Sequence, residues 1–217
     1  MAVIQGYAPD LSYGLLAEAA IAIRAGAWFV ASNTDATLPS TRGPQPGNGS
    51  LVQLLVTATG QQPVVAGKPE PPLHAESVER VGAKRPLVAG DRLDTDIEGA
   101  VRGGADSLLV FTGVSRPADA VLAPPECRPT YLAADLSGLN ASHPEVTRSG
   151  RAFGCGGWTA VVDEHRRLTI SGSGRPLDGL RALCAAAWSS AGPDLQSRRD
   201  AARPEAEALV RQVGFVS

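Results

Sequence analysis

Lysine is nearly absent from this sequence. Of the 20 basic residues among 217, only Lys68 and Lys84 are lysines, and the other 18 are arginines. In such a background a lysine marks a place where a compact ammonium serves and a planar guanidinium does not; chance survival of two lysines is the plain alternative. Cysteine is scarce too. Cys127, Cys155 and Cys184 are odd in number and far apart. That excludes a disulfide framework and a zinc-finger spacing, and it points to a reducing, cytoplasmic setting. No apolar run reaches the roughly 18–20 residues that span a bilayer. The residues after Met1 show no basic stretch and cleavage pattern, so no secretory signal is expected. Excess positive charge is missing as well: the net charge is −2 and the pI near 5.9, which excludes a general nucleic-acid binder.

What is there is ordinary globular composition, 43% hydrophobic and 19% charged. The length fits one large or two small domains. Apolar periodicity gives a regular alternation. Ala2–Gly6 reads as a short buried strand, and a helix with Leu15, Leu16, Ala19, Ala20 and Ile23 at helical spacing ends near Gly26. Ala27–Ser32 is a second apolar strand, followed by a long polar loop, Asn33–Gly49, and a helix from Ser50 to a stop at Gly60. Pro63–Gly67 is a strand and 71–82 a helix. Pro86–Gly90 is a buried strand, the next helix starts near Thr95, and Asp106–Gly113 is a strand. Strands alternating with helices predict an α/β fold with a mainly parallel sheet. After Leu136 the pattern loosens. Residues 137–150 read as a linker, 157–172 as a hairpin turning at Asp163–Arg166, and 176–192 and 202–214 as helices.

The strongest local signal is LVAGDRLDTDIEGA, residues 87–100. A strand ends at Gly90-Asp91 and an acidic loop opens a helix. In open α/β sheets, ligands bind beyond the carboxyl ends of the strands. Asp91, Asp94 and Asp96 together would repel strongly without a cation, and a hard ion such as Mg²⁺ takes oxygen ligands. Asp91 and Asp96 are therefore the candidate metal residues, with Asp94 turned to solvent and Thr95 available as a cap. In AGKPEPP, residues 66–72, Lys68 also follows a strand, which places an ammonium at the same sheet edge as Asp91. A metal site beside a lysine suits phosphate chemistry. Asn33 and Asp35, beyond the second strand, and Arg42 are candidate substrate contacts, although Asn and Asp also form turns there. PGNG at 46–49 offers a helix N-terminus to an anion. His74, His143 and His165 read as structural or solvated, and FGCGGW at 153–158 as packing.

GKPEP followed by GDRLDTDIEGA, after SNTDATLPSTRGPQPGNG, resembles the haloacid-dehalogenase (HAD) superfamily, in its NagD-type phosphatase branch with a C2 cap. The resemblance covers about Ala2–Ser115. It implies a Rossmann-like core and an α/β cap. It assigns residues 1–62 to the second half of the cap, 63–136 to the second half of the core, and 137–217 to a small α+β extension. It implies a cytoplasmic Mg²⁺-dependent phosphatase for a small phosphorylated metabolite such as glycerol phosphate or phosphoglycolate. Lys68 would be the charge-balancing lysine, Asp91 a Mg²⁺ ligand, and Asp96 in or near the metal shell. The segment Asn33–Gly49 would lie over the active site. In the family an aspartate attacks phosphorus and forms an aspartyl-phosphate. Two like charges at 4 Å repel by about 4 kcal/mol at an effective dielectric near 20, which the cation and the ammonium offset.

The sequence departs from that pattern in two motifs. The nucleophile of the family lies in a DxDG segment after a leading strand, and a Thr or Ser after the next strand binds the phosphate; these residues contain neither. The reading is therefore of an N-terminally truncated phosphatase, inactive alone, its missing half supplied by another chain or its edges covered in a homo-oligomer. The alternative is a non-catalytic remnant or binding partner.

Overall fold

The computed structural model describes residues 1–165, 167–190 and 199–215. Arg166, in the expected hairpin turn, and the last two residues of the helix expected over 176–192 lie outside the described residues. Packing divides the chain into two units, 1–86 with 94–105, and 87–93 with 106–217. The boundary anticipated after residue 62 falls inside the first.

The first unit opens with β1 (Ala2–Gln5), α1 (Tyr13–Arg24) and β2 (Trp28–Ala31). Ser12 caps α1, its Oγ accepting from the Leu15 amide at 3.3 Å. A two-stranded ribbon of β3 (Thr37–Leu38) and β4 (Gln45–Pro46) follows, then α2 (Asn48–Thr59), β5 (Val64–Val65) and α3 (Pro72–Val81). The unit resumes with most of a π-helical turn (Leu93–Ile97) and α4 (Glu98–Arg102). Gly60 and Gly82 end α2 and α3 in the left-handed region, with φ of 71° and 62°, where a side chain would be strained. β1, β2 and β5 form a parallel sheet in that order. One face packs Phe29 and Ala31 against Leu16 and Ile23 of α1 and Val52 and Leu55 of α2. Each large side chain so buried stabilises by about 1.5–3 kcal/mol.

In the second unit β6 (Leu87–Gly90), β7 (Asp106–Val110) and β8 (Tyr131–Ala133) form another parallel sheet, with α5 (Pro117–Val121) between the last two strands. Ser107 and Thr130 lock its start, each amide donating to the other's hydroxyl at 3.1 Å. An antiparallel sheet of β9 (Thr147–Ser149), β10 (Ala152–Cys155), β11 (Trp158–Val162) and β12 (Leu168–Gly172) follows. α6 (Pro176–Ser190) packs across β10, β11 and β12, and α7 (Arg199–Gln212) ends the described helices. The three cysteines are free and buried. No helix among the described residues is long and apolar enough to cross a membrane.

Several expectations are corrected here. β5, which leads to Lys68, and β6, which leads to Asp91, lie in different sheets, so the two residues do not share one sheet edge. Two-residue β5 carries too little pattern to show its partner. β1 and β6 are not buried strands: Ile4 is 74% exposed and Leu87 43%, and Trp28 of the central strand β2, on the same face as Ile4, is exposed too, so in the first sheet it is the face that is uncovered. α2 begins at Asn48 rather than Ser50. The polar segment 33–49 contains the β3–β4 ribbon, and the expected linker contains β9, whose three residues are all exposed and so lack the alternation by which a strand is read. Thr95 caps nothing; its buried Oγ1 has no hydrogen-bond partner.

Candidate functional site

The first unit gathers charge around Lys68. The path to it starts at the end of β2. Asn33 Oδ1 accepts from the Asp35 amide at 3.3 Å, closing a turn of the kind Asn favours. Asn48, 1% exposed at the start of α2, fixes that turn from below. Its Nδ2 donates to the Asn33 carbonyl at 2.9 Å, and its Oδ1 accepts from Gln5 Nε2 at 3.3 Å. The flanking glycines let the backbones meet. A Cβ on Gly47 would strike the Asp35 carbonyl, and one on Gly49 the Thr34 carbonyl. The Gly49 amide donates to the Asp35 carbonyl at 2.8 Å. PGNG therefore secures the 33–35 turn, and this amide at the start of α2 is spent on the chain itself rather than on an anion.

The same turn binds the lysine segment. The Thr34 amide donates to the Lys68 carbonyl at 3.1 Å, and the Lys68–Pro69 peptide is cis. Lys68 Nζ donates to Asp96 Oδ1 at 2.8 Å and lies 3.4 Å from Asp35 Oδ2. Both carboxylate residues are 8% exposed. Gly99 lets α4 close on Pro69, whose carbonyl would lie 3.3 Å from an added Cβ, and Arg102 pairs with both Glu70 and Glu98. These contacts set the turn carrying Asp96 against the segment carrying Lys68. Partial burial by itself would lower the ammonium's pKa. The hydrogen bond and charge of Asp96, and then those of Asp35, outweigh it and hold Lys68 above its ordinary value.

The second unit holds Asp91 at the carboxyl end of β6. Its Oδ2 accepts from the Val114 amide at 2.7 Å, and its carbonyl accepts from the Ser115 amide at 2.9 Å. Ser115 Oγ accepts in turn from the Leu93 amide at 3.0 Å. A Cβ on Gly113 would collide with the Asp91 carboxylate, so the loop after β7 forms a cradle that only glycine leaves open.

Of the residues singled out in the sequence, Asp35, Lys68 and Asp96 come together. Asn33 supports the turn. Arg42 lies exposed in the tip of the β3–β4 ribbon, its amide donating to Ser40 Oγ at 3.2 Å. Asp94 is exposed, as expected, and Asp96 is buried. His143 Nε2 lies 3.0 Å from the Gly138 carbonyl and His165 sits in a turn, in keeping with structural readings. Among the described residues no group of three or more His, Cys, Asp or Glu side chains is gathered as a metal cluster. Asn48, Gln5 and Gly113 were not foreseen. The glycines around Asn48 were the one available signal for it, and Gly113 looked like an ordinary strand end.

Comparisons with known proteins agree with the first part of this picture and extend the second. Residues 65–139 match the HAD-hydrolase-like family, and residues 155–215 match a GCN5-related N-acetyltransferase like domain. The chain is 45% identical over 203 residues to the D-glycerol 3-phosphate phosphatase of Mycobacterium tuberculosis, covering 91% of this chain and 57% of that enzyme. The crystal structure of that species' glycerol phosphate phosphatase in complex with magnesium superposes with a TM-score of 0.73 at 46% identity, over 88% of this chain and 57% of that one. An acid sugar phosphatase of Staphylococcus epidermidis is 38% identical over 62% of this chain and 52% of its own length. The 4-nitrophenylphosphatase of Thermotoga maritima superposes with a TM-score of 0.58 at 33% identity, over 65% of this chain and 55% of that one. The chain thus spans little more than half the length of each of these relatives. The acetyltransferase-like match falls on the segment read from sequence only as a small α+β extension.

Proposed function

We propose that this chain, which belongs to the HAD-like hydrolases of the NagD type, carries the ammonium and a metal carboxylate of a Mg²⁺-dependent phosphatase for small phosphate esters of the glycerol phosphate class. The observation that carries the reading is the Lys68 ammonium set 2.8 Å from Asp96 and 3.4 Å from Asp35.

The charge of that centre is informative. Lys68 beside two carboxylates brings no surplus positive charge to a phosphate ester. A divalent cation would supply it. That suits Asp96 as a residue in or near the metal shell. Asp91 fits as a direct ligand: it is a hard oxygen donor at a strand end, in a cradle that a Cβ would fill, with one oxygen oriented by the Val114 amide. When bound, Mg²⁺ supplies Lewis-acid stabilisation of the phosphoryl oxygens. Lys68, kept protonated by its carboxylate partners, offsets charge on the phosphoryl group. Asn33, Asp35 and Arg42 are the proposed contacts to the ester. The nucleophilic carboxylate comes from outside these 217 residues, which hold no DxDG segment.

Titration calorimetry tests the reading. Inorganic phosphate should bind only when Mg²⁺ is present. Lys68→Ala should abolish phosphate binding while retaining Mg²⁺, and Asp91→Asn should weaken Mg²⁺ itself, more than Asp94→Asn does. Phosphate binding that ignores both Mg²⁺ and Lys68 would overturn the proposal. p-Nitrophenyl phosphate should not be turned over by these residues alone; turnover lost in Asp91→Ala would place the nucleophile inside the chain and refute that part of the reading.

A further inference from the structure

The second unit contains a cavity that the phosphatase reading does not use. It has a volume of about 410 Å³ and lies between the loop after β7 and helix α7. That volume is in the range of small-molecule sites. Its apolar wall is Phe111 and Phe215, whose rings meet edge to face with centroids 6.2 Å apart, together with Val210. Its polar lining is mostly cationic: Arg116 from the loop, and Arg203 and Arg211 from α7, against the single carboxylate of Glu207.

The walls are tied to one another. Asp119 Oδ2 accepts from the Arg116 amide at 2.8 Å, and its Oδ1 accepts from Arg203 Nη2 at 2.7 Å. One carboxylate thus joins the start of α5 to α7 and holds the cavity's shape. The same pairing neutralises Arg203, whose pKa is raised by Asp119 first and by Glu207 in smaller measure. Arg116 and Arg211 are exposed, and neither guanidinium forms an ion pair among the described residues. Two uncommitted guanidiniums beside an aromatic wall match a particular ligand chemistry. The apolar body is desolvated against the rings, while the fork of an arginine meets a carboxylate or similar anion.

We propose that this cavity is a binding site for a small organic monoanion with a flat apolar body, such as an arylcarboxylate, seated on Phe111 and Phe215 and held by Arg116 and Arg211. The site is independent of the phosphatase reading, yet it touches the same loop. Phe111 lies two residues before Gly113 and three before Val114, whose amide orients Asp91. The shifts caused by an occupant should therefore extend to the Val114 amide.

The probes are 4-fluorobenzoate, neutral 4-fluorobenzyl alcohol and inorganic phosphate, titrated into the full chain and followed by ¹⁹F line width and by ¹H–¹⁵N amide shifts. Benzoate should bind saturably, at least tenfold more tightly than the alcohol, with shifts at Phe111, Val210 and Phe215 that extend to Val114. The surface variants Arg116→Gln and Arg211→Gln should each weaken benzoate severalfold and leave the alcohol unchanged. Phosphate should not compete. Equal affinity for benzoate and alcohol would reduce the site to an apolar cleft and overturn the proposal. So would shifts confined elsewhere, competition by phosphate, or variants that bind benzoate as the unaltered chain does.

Discussion

The parallel sheet of the first unit and the antiparallel sheet of the second carry similar apolar strands but meet different fates. Across β1, β2 and β5 the register sets Ile4 beside Val30 and Val30 beside Val64. Ile4 is 74% exposed and Val64 50%, with Trp28 at 63% on the same face, while the opposite face is covered by α1 and α2. In the other sheet Phe153, Cys155, Trp158, Ala160, Val162 and Ile170 alternate onto one face and all are buried beneath α6. That helix is apolar almost all round, with Leu180, Leu183 and Cys184 shut from solvent. A strand pattern shows which face is apolar. It does not show whether an element in hand covers it.

The largest effect should come from opening the sealed side. Leu183→Ala removes a fully buried side chain, and such deletions cost about 2.7–5 kcal/mol. Urea unfolding followed by the emission of Trp158 and Trp188 should show the loss. A cost below about 1 kcal/mol would mean that α6 is not the lid of this core.

Lys68→Ala should come next. It leaves Asp35 and Asp96, each 8% exposed, without their common ammonium. Breaking a buried pair in this way costs about 3–5 kcal/mol. Lys68 is itself 48% exposed in its side chain, so water screens part of that, and about 1–2 kcal/mol is expected. Combining it with Asp96→Asn in a double-mutant cycle should recover part of the loss, because the second change removes one of the two buried charges that Lys68 contacts. Strict additivity would show that the 2.8 Å contact contributes nothing.

How much of this was legible beforehand differs between fold and site. Helix ends at Gly60 and Gly82, the 157–172 hairpin and α6 follow from local rules of glycine conformation and apolar period, and the structure has them where those rules put them. Lys68 and Asp91 stand out because each follows a strand, where ligands bind in open α/β sheets, and Asp96 because it belongs to the carboxylate cluster of Asp91, Asp94 and Asp96. Sheet membership did not stand out, since pairing β5 with β2 rather than β6 is a long-range choice. Asn48 escaped notice for a related reason. A buried amide that satisfies the carbonyl of Asn33 depends on backbones brought together by the fold, and the sequence shows only an asparagine between glycines.

A smaller effect is the pH dependence of the lysine centre. The pKa of Lys68 is raised above 10.5 by Asp96 and Asp35. A group raised on folding contributes stability that is fully present below its unfolded value and is lost as pH rises through the folded value. Comparing the chain with Lys68→Met should therefore show a constant difference in urea midpoint from pH 7 to about pH 10, shrinking above that. A difference that grows with pH would reverse the assigned sign.

The smallest effect on stability should arise on the open face, and it is the sharpest test of the contrast between the two sheets. Trp28 is 63% exposed in β2, with its neighbour Phe29 buried on the other side of the strand. Trp28→Gln therefore removes little buried area, and exposed substitutions of this kind stay within about 0.5 kcal/mol. Exposed apolar surface of this kind favours association in general, and β1 stands at the edge of its sheet. Trp28→Gln, and more so Trp28→Gln with Ile4→Gln, should lower the binding of an apolar dye and reduce association in sedimentation velocity while the unfolding midpoint stays in place. If the midpoint falls by the amount expected of a core deletion, these side chains are covered in solution. The first sheet would then be as sealed as the second.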